Sequence, residues 1–215
     1  MNQAGTLDFV HTFAPGRSGR TLLLLHGTGG DENDLIPLGR QLDPDASLLS
    51  PRGKVLENGM PRYFRRLAEG IFDEEDLIRR THELADFIDQ AAAKYNLNRQ
   101  NVFAVGYSNG ANMAASLLLL RPGTLSGAAL LRAMVPLVPE KLPDLEGKPV
   151  LLAASQYDPI IPADEALELA NMLRKTGADV TVSWDDGGHG LTRETLDSAR
   201  RWLQTASLTK GANPV

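Results

Sequence analysis

Short apolar runs recur along the chain at intervals too regular for loops. A continuous apolar run of about five residues is typical of a strand buried on both faces. Nearly continuous runs of this kind lie at residues 21–25, 101–105 and 150–154, and mixed segments at 46–50, 125–131 and 180–184 are further strand candidates. A weaker alternation of apolar and polar positions at 7–13 predicts an outer strand. These segments are the predicted strands of one sheet.

Segments of helical period separate these runs. Apolar positions three and four residues apart predict helices at 31–42, 73–95, 111–120, 163–176 and 191–208. Pro37 shortens or bends the first helix, and Gly177 marks the end of the fourth. Strands that alternate with helices favour an α/β fold with a mainly parallel sheet covered on both faces. We expect one domain over residues 1–215, with a frayed tail at about 207–215.

The segment 54–72 has little periodicity of either kind. It is long for a connection inside a compact domain, and such connections are often binding loops. Four acidic residues follow at 73–76, at the predicted start of a helix. Capping of the helix dipole explains these acids better than a metal site does.

Composition narrows the classes of partner. The chain carries 22 basic and 27 acidic residues, a net charge of -5, and no basic cluster, which argues against nucleic acid as a partner. It has no cysteine, so disulfides and thiolate chemistry are excluded, and a cytoplasmic location fits. No apolar run approaches the length of a bilayer span, and no signal peptide is visible, so we expect no stable membrane insertion.

Candidate chemistry appears at Gly106-Tyr107-Ser108-Asn109-Gly110, between a predicted strand and a predicted helix. A chain of this composition contains the G-x-S-x-G pattern by chance about 0.09 times. The strand predicted before the pattern and the helix predicted after it therefore carry much of the case for a functional motif. A strand-to-helix turn this sharp needs small residues on both sides of its apex, which Gly106 and Gly110 supply. Ser108 is therefore predicted to be an exposed nucleophile at the start of a helix.

Other polar residues follow the remaining predicted strands. In an open parallel sheet, loops after the strands gather at one edge, which brings Ser108, Asp158 and His189 together. A serine hydroxyl needs a base near neutral pH, and His189 is the candidate. Asp158 is then the carboxylate that orients the imidazole, and the chain order Ser, Asp, His is that of the nucleophile elbow.

The oxyanion of an ester-cleaving reaction needs donors already aimed at it. The backbone N–H of Asn109, directly after the nucleophile, is one candidate. The backbone N–H of Thr28, in the glycine-rich loop after the second strand, is the other.

Several residues compete for these roles. Asp164, Asp185 and Asp186 are alternatives to Asp158, which we favour because Asp164 begins a helix and the other two lie very near His189 in sequence. His26, at the end of a strand, is interpreted as bracing the loop. The remaining histidines, His11 and His82, are isolated, so surface or packing roles are favoured and a metal site is not expected.

These motifs resemble the bacterial phospholipase/carboxylesterase family of α/β-hydrolases, which is related to acyl-protein thioesterases. The matching segments are 26–34, 50–53, 106–112, 158–162 and 187–189. The resemblance implies an α/β-hydrolase fold, ester hydrolysis through an acyl-enzyme on Ser108, and no cofactor. Residues 62–73 resemble the carboxylesterase branch. Ser155-Gln156 departs from the family pattern, in which glycine is frequent near the start of the acid loop.

The expected substrate is a small or medium carboxylic ester. Too few residues separate Ser108 from Asp158 for a large lid domain, so the site should be an open groove. Tyr63, Phe64 and Met134 are candidate walls, although each is also compatible with the core. An acyl-thioester hydrolase, a lysophospholipase and a non-catalytic ligand-binding protein remain alternatives, and the sequence leaves a homodimer open.

Overall fold

A seven-stranded sheet lies at the centre of the computed structural model, which describes residues 7–206. In chain order the strands are β1 (His11–Ala14), β2 (Thr21–Leu25), β3 (Ser47–Pro51), β4 (Val55–Glu57), β5 (Met60–Arg62), β6 (Arg66–Ala68), β7 (Ile71–Phe72), β8 (Val102–Tyr107), β9 (Gly127–Leu131), β10 (Pro149–Ser155) and β11 (Asp179–Asp185). The main sheet has the order β1-β3-β2-β8-β9-β10-β11. Only β1 runs antiparallel to its neighbour, which confirms a mainly parallel sheet.

Helices cover both faces of this sheet, as predicted. They are α1 (Ile36–Leu42), α2 (Glu74–Tyr95), α3 (Asn109–Leu120), α4 (Ala163–Lys175) and α5 (Arg193–Thr205). The apolar residues of α2, α3 and α4 share one hydrophobic cluster, and those of α1 and α5 share the other. The sheet is therefore buried on both sides.

The strands divide their side chains between these two clusters. Along β2, Leu23 and Leu25 enter one cluster while Leu22 and Leu24 enter the other, because successive strand residues point to opposite faces. All four are fully buried. Burial of each such side chain stabilises the fold by about 1.5–3 kcal/mol, so the strand ends that carry the polar loops are firmly held.

Helix α1 begins five residues later than predicted. The acidic segment 31–34 forms a turn before it, in which the Asn33 N–H donates to Asp31 Oδ1 at 2.7 Å. Pro37 lies in the first turn of the helix that does form, where its missing N–H costs no hydrogen bond. Pro37 therefore marks the start of α1 and does not bend it.

The predicted binding loop at 54–72 is folded into two hairpins, β4–β5 and β6–β7. Asn58 and Gly59, at the tip of the first, both have positive φ, at 51° and 81°. A two-residue hairpin turn of type I′ requires positive φ at both central positions, and Asn-Gly supplies it at little cost. The strands are only two or three residues long, which explains why no periodicity is visible.

The acidic run at 73–76 caps α2, as predicted. The Asp73 side chain accepts a hydrogen bond from the Asp76 N–H at 3.0 Å. Asp76 is itself buried and accepts from the Arg65 N–H at 2.8 Å, with Arg79 and Arg80 as ion-pair partners. Asp73 and Asp76 are therefore bonded to the protein's own amides and cations.

No helix or strand lies between β9 and β10, so the structure has no large lid in this connection. Within residues 7–206, no helix combines the length and apolar character that a membrane span needs. The predicted frayed tail at 207–215 lies outside the described residues.

Candidate active site

Three side chains from three loops form a hydrogen-bonded row at the carboxyl edge of the sheet. His189 Nε2 lies 2.9 Å from Ser108 Oγ, and His189 Nδ1 lies 2.8 Å from Asp158 Oδ2. Ser108 follows β8, Asp158 follows β10 and His189 follows β11. The structure thus brings together the three residues that the sequence nominated, with hydrogen-bond geometry suited to proton transfer.

Ser108 occupies a strained turn between β8 and α3. Its backbone has φ 51° and ψ -116°, a conformation that costs a non-glycine residue about 1–3 kcal/mol. A Cβ at Gly106 would lie 2.5 Å from the Gly110 oxygen, and a Cβ at Gly110 would lie 2.0 Å from the Leu25 oxygen. A side chain at either glycine would therefore clash with the backbone, as predicted. Helix α3 begins at the residue after Ser108.

Asp158 is held on both of its oxygens. Oδ1 accepts from the backbone N–H groups of Ile160 at 2.8 Å and Ile161 at 3.1 Å, which leaves Oδ2 for His189. The side chain is 1% exposed. A buried carboxylate fixed in this way can orient the imidazole and favour its charged form.

The other three candidate acids lie in different surroundings. Asp185 is bound by Arg132 Nη2 at 2.7 and 2.9 Å, and it also accepts from Thr195 Oγ1 at 2.6 Å. Asp164 and Asp186 are both exposed. Of the four candidate acids, Asp158 is the one bonded to His189.

Two residues with free backbone donors line the same cleft as Ser108. Thr28 and Asn109 both line it, and neither N–H has an acceptor among residues 7–206. The Asn109 amide is at the first position of α3, where no intrahelical acceptor exists. Unpaired N–H groups beside a nucleophile are what an oxyanion hole requires.

The Thr28 loop is held in place by strand β5. The Gly29 N–H donates to the Pro61 oxygen at 2.9 Å, and Arg62 Nη1 donates to Thr28 Oγ1 at 2.7 Å. Arg62 is buried, and this burial lowers the pKa of its guanidinium. The first hairpin therefore supports the loop that presents the Thr28 N–H.

Comparison with known proteins identifies the family of the chain. The phospholipase/carboxylesterase family model matches residues 14–207. The chain belongs to the phospholipase/carboxylesterase family. Its fold is accordingly the α/β-hydrolase fold, and the resemblance noted from the motifs is confirmed.

Similar proteins cover almost the whole chain. MhqD of Bacillus subtilis (strain 168) is 55% identical over 196 residues, which are 91% of this chain and 98% of that protein. A Bacillus cereus carboxylesterase structure superposes with a TM-score of 0.91 at 51% identity, covering 93% of this chain and 95% of the other. A structure of YahD with malic acid gives a TM-score of 0.87 at 32% identity, covering 92% and 99%.

In this member of the phospholipase/carboxylesterase family, the cleft above Ser108 has a volume of about 320 Å³. Met134 lines it, as the sequence indicated. Tyr63 and Phe64 do not line it, and the prediction that they form its walls is wrong. Both are buried in the core, at 2% and 0% exposure, and the Tyr63 hydroxyl donates to the Pro51 oxygen at 2.7 Å.

The lining residues that sequence reasoning missed come mostly from the second hairpin, the acid loop and the elbow motif itself. They are Arg62, Arg66, Glu69, Gly70, Phe72, Tyr107, Asn112, Ile160 and Ile161. Asn109 Oδ1 accepts from the Tyr63 N–H at 2.8 Å, and Asn112 Oδ1 accepts from the Met134 N–H at 3.0 Å. Asparagine at two buried positions of an otherwise apolar helix was the available signal for these tethers.

His26 braces two backbone segments, as interpreted from its position. Its Nε2 accepts from the Gly53 N–H at 3.0 Å, so the ring proton lies on Nδ1 and is donated to the Gly27 oxygen at 2.7 Å. The ring is 1% exposed, and burial lowers the pKa of His26 below its ordinary 6.5, although the bond to Gly27 and nearby acids oppose this. His26 is therefore neutral in the folded protein at neutral pH.

This burial predicts an acid-sensitive fold. Below pH 6.5 the unfolded chain protonates His26 and the folded chain resists doing so, so stability falls as pH decreases. We expect the thermal midpoint of the wild type to drop more steeply between pH 7 and pH 5 than that of His26→Gln, which does not titrate. Calorimetry of both proteins across this range measures the difference, and parallel curves would contradict the assignment.

The other two histidines lie away from the site. His11 bonds the Tyr95 hydroxyl at 2.8 Å and packs against Phe87, while His82 is exposed. Among residues 7–206, no three histidine or acidic side chains form a group that could hold a metal ion.

Proposed function

We propose that this protein is a serine carboxylesterase that hydrolyses small to medium carboxylic esters through an acyl-enzyme on Ser108. The observation that carries the proposal is the continuous hydrogen-bonded row from Ser108 Oγ through His189 to the buried Asp158, at 2.9 and 2.8 Å. The two unpaired N–H groups beside it and the family of hydrolases to which the chain belongs support the same reaction.

In the acylation step, Ser108 Oγ attacks the ester carbonyl carbon while His189 Nε2 accepts the hydroxyl proton. The carbonyl π electrons move onto oxygen, and the resulting oxyanion accepts hydrogen bonds from the Thr28 and Asn109 N–H groups. The tetrahedral intermediate then collapses, the alcohol departs with the proton from His189, and the acyl group stays on Ser108.

In the deacylation step, His189 Nε2 takes a proton from a water molecule whose oxygen attacks the acyl carbon. A second oxyanion forms in the same place and collapses, Ser108 recovers its proton, and the carboxylic acid leaves. Asp158 keeps the His189 Nδ1 proton in place and stabilises the imidazolium in both steps. Each group that the reaction needs belongs to the chain, so the proposed reaction uses no cofactor.

The cleft favours substrates of limited size. Phe72, Met134 and Ile160 are among its lining residues, and within residues 7–206 no lid between β9 and β10 adds to this apolar surface. A volume of about 320 Å³ is at the lower end of the range for ligand pockets. This size suits short and medium acyl or alkyl groups.

An acyl-thioester or lysophospholipid hydrolase uses the same chemistry, so chain length and leaving group decide between them. We expect kcat/KM to be greatest for short and medium acyl oxoesters and to fall for long acyl groups. The measurement is steady-state hydrolysis of matched oxoesters and thioesters from acetyl to palmitoyl, together with a lysophospholipid. A clear preference for palmitoyl thioesters or for the lysophospholipid would favour the alternative. Turnover of none of them would favour a ligand-binding role.

A further inference from the structure

One buried cation next to the proposed triad has no part in the reaction described above. Arg132 follows β9, the strand that lies between the strand of Ser108 and the strand of Asp158. Its side chain is fully buried. A buried guanidinium carries a large desolvation cost, which must be offset by hydrogen bonds and an opposite charge.

The partners of Arg132 lie on both sides of His189. Its Nε donates to the Gly188 oxygen at 2.9 Å, and its Nη2 donates to the Gly190 oxygen at 2.8 Å. The Tyr107 hydroxyl donates to the oxygen of His189 itself at 3.1 Å. Three successive carbonyl groups of the loop 186–192, here called the base loop, therefore accept hydrogen bonds from side chains of β8 and of the residue after β9.

Asp185 keeps the guanidinium in position. It ends β11, just before the base loop, and its two oxygens lie 2.7 and 2.9 Å from Arg132 Nη2, which donates to this carboxylate. Burial opposes its ionisation, but hydrogen bonds from Thr195, Gly187 and Arg132 hold the pKa of Asp185 below its ordinary range. The charges of Asp185 and Arg132 therefore balance each other. Asp185 is bonded to Arg132 and not to His189.

The backbone of Arg132 is strained. Its φ is 60°, which costs a residue with a side chain of this size about 1–3 kcal/mol. In this conformation the Arg132 N–H donates to the Ala153 oxygen at 2.9 Å, while the preceding residue, Leu131, accepts from the Ser108 N–H at 2.9 Å. Leu131 and Arg132 thus bond the turn of Ser108, strand β10 and the loop of His189.

The base loop needs such support because it is rich in glycine. Residues 187, 188 and 190 are all glycine, and each ordered backbone residue costs about 1–2 kcal/mol of conformational entropy. Stability alone does not explain the ion pair, because a well-packed apolar pair of the same volume is often as stable or more so. An apolar pair, however, could not bind the carbonyls that flank His189.

We propose that Arg132, held by Asp185, is the positioning residue that fixes the His189 loop and aims its imidazole at Ser108. The inference rests on the proposed esterase function. Arg132 touches no reacting atom, so its loss should act on the rate of the chemical steps and leave the binding of substrate in the cleft largely intact.

The test separates positioning from stability. In Arg132→Met/Asp185→Leu, the buried charges are replaced together, so we expect a folded protein whose thermal midpoint falls less than that of Arg132→Met, since only the hydrogen bonds of the loop are lost. We also expect kcat to fall about 100-fold, because a small misplacement of a catalytic group costs about that factor, while KM changes little. The single variant Arg132→Met should lose both stability and rate, because it leaves Asp185 buried and unpaired.

Arg20→Met is the matched control. Arg20 forms a largely buried ion pair with Asp43 at 2.9 Å, at the opposite edge of the sheet, so its loss should lower stability without lowering kcat. If the double variant does not fold, Arg132→Gly with added guanidinium ion provides the second measurement, and the ion should restore part of kcat. A folded double variant with wild-type kcat, or a glycine variant unaffected by guanidinium, would overturn the proposal.

Labelling with a fluorophosphonate separates the test of the role of Arg132 from the test of the proposed esterase function. A wild type that labels, together with a double variant of unchanged kcat, removes the role of Arg132 and leaves the esterase proposal standing. A wild type that neither labels nor turns over removes both.

Discussion

Ser108→Ala is expected to lower kcat for ester hydrolysis by about 10⁴- to 10⁶-fold, because it removes the atom that forms the acyl-enzyme. The fold should survive. The Ser108 side chain makes no capping hydrogen bond to α3, and alanine carries the same Cβ into the same turn. Steady-state kinetics of purified Ser108→Ala, with circular dichroism to verify the fold, provide the measurement.

Ser198→Ala is a suitable control for this variant. Ser198 bonds Ser183 at 2.8 Å on the far side of the sheet from α3, so the change removes a hydroxyl without touching the cleft. It should leave kcat unchanged. Wild-type turnover by Ser108→Ala would show that another group is the nucleophile.

His189→Ala is expected to lower kcat by a similar factor, about 10⁴- to 10⁶-fold, because nucleophile and base act as one unit. Without the imidazole, Ser108 loses the base that is bonded to its hydroxyl, and the leaving alcohol loses its proton donor. The bond from the Tyr107 hydroxyl to the backbone oxygen of residue 189 does not depend on the side chain, so the loop should stay in place.

His82→Ala is the control for the base, since His82 is exposed and remote from the cleft. It should match the wild type in kcat and in thermal midpoint. A modest loss of rate in His189→Ala would direct attention to His26, the other histidine near the same edge of the sheet. Its two backbone hydrogen bonds argue for a structural role there.

Much of the fold was predictable because its signals are local. The run 21–25 is apolar at every position after Thr21, and a strand covered by helices on both faces favours that composition. The proposed triad could be nominated for a related reason. In a parallel sheet, the residues that follow the strands gather at one edge, so chain order carries spatial information.

The cleft walls were less predictable because burial depends on the whole tertiary structure. Tyr63 and Phe64 follow short, irregular strands, and nothing local shows that they turn inward, whereas Phe72 on the second hairpin turns toward the cleft. The Asn58-Gly59 turn was a usable signal for the first hairpin. It lay in a segment whose strands are too short to show alternation.

Arg132 is a different case. A single arginine after an apolar strand is compatible with a surface position, and sequence alone gives it no partner. Its importance comes from Asp185 and from two glycine carbonyls, more than 50 residues away in the chain. Long-range polar contacts of this kind become visible only in three dimensions.

Covalent labelling tests the central claim most directly. The wild type is incubated with a fluorophosphonate, and its intact mass and peptides are measured beside those of Ser108→Ala. The proposed nucleophile predicts one phosphonyl adduct per chain on the peptide that contains Ser108, and none on the variant. An unmodified wild type, or an equal adduct on Ser108→Ala, would contradict the assignment of Ser108 as the nucleophile.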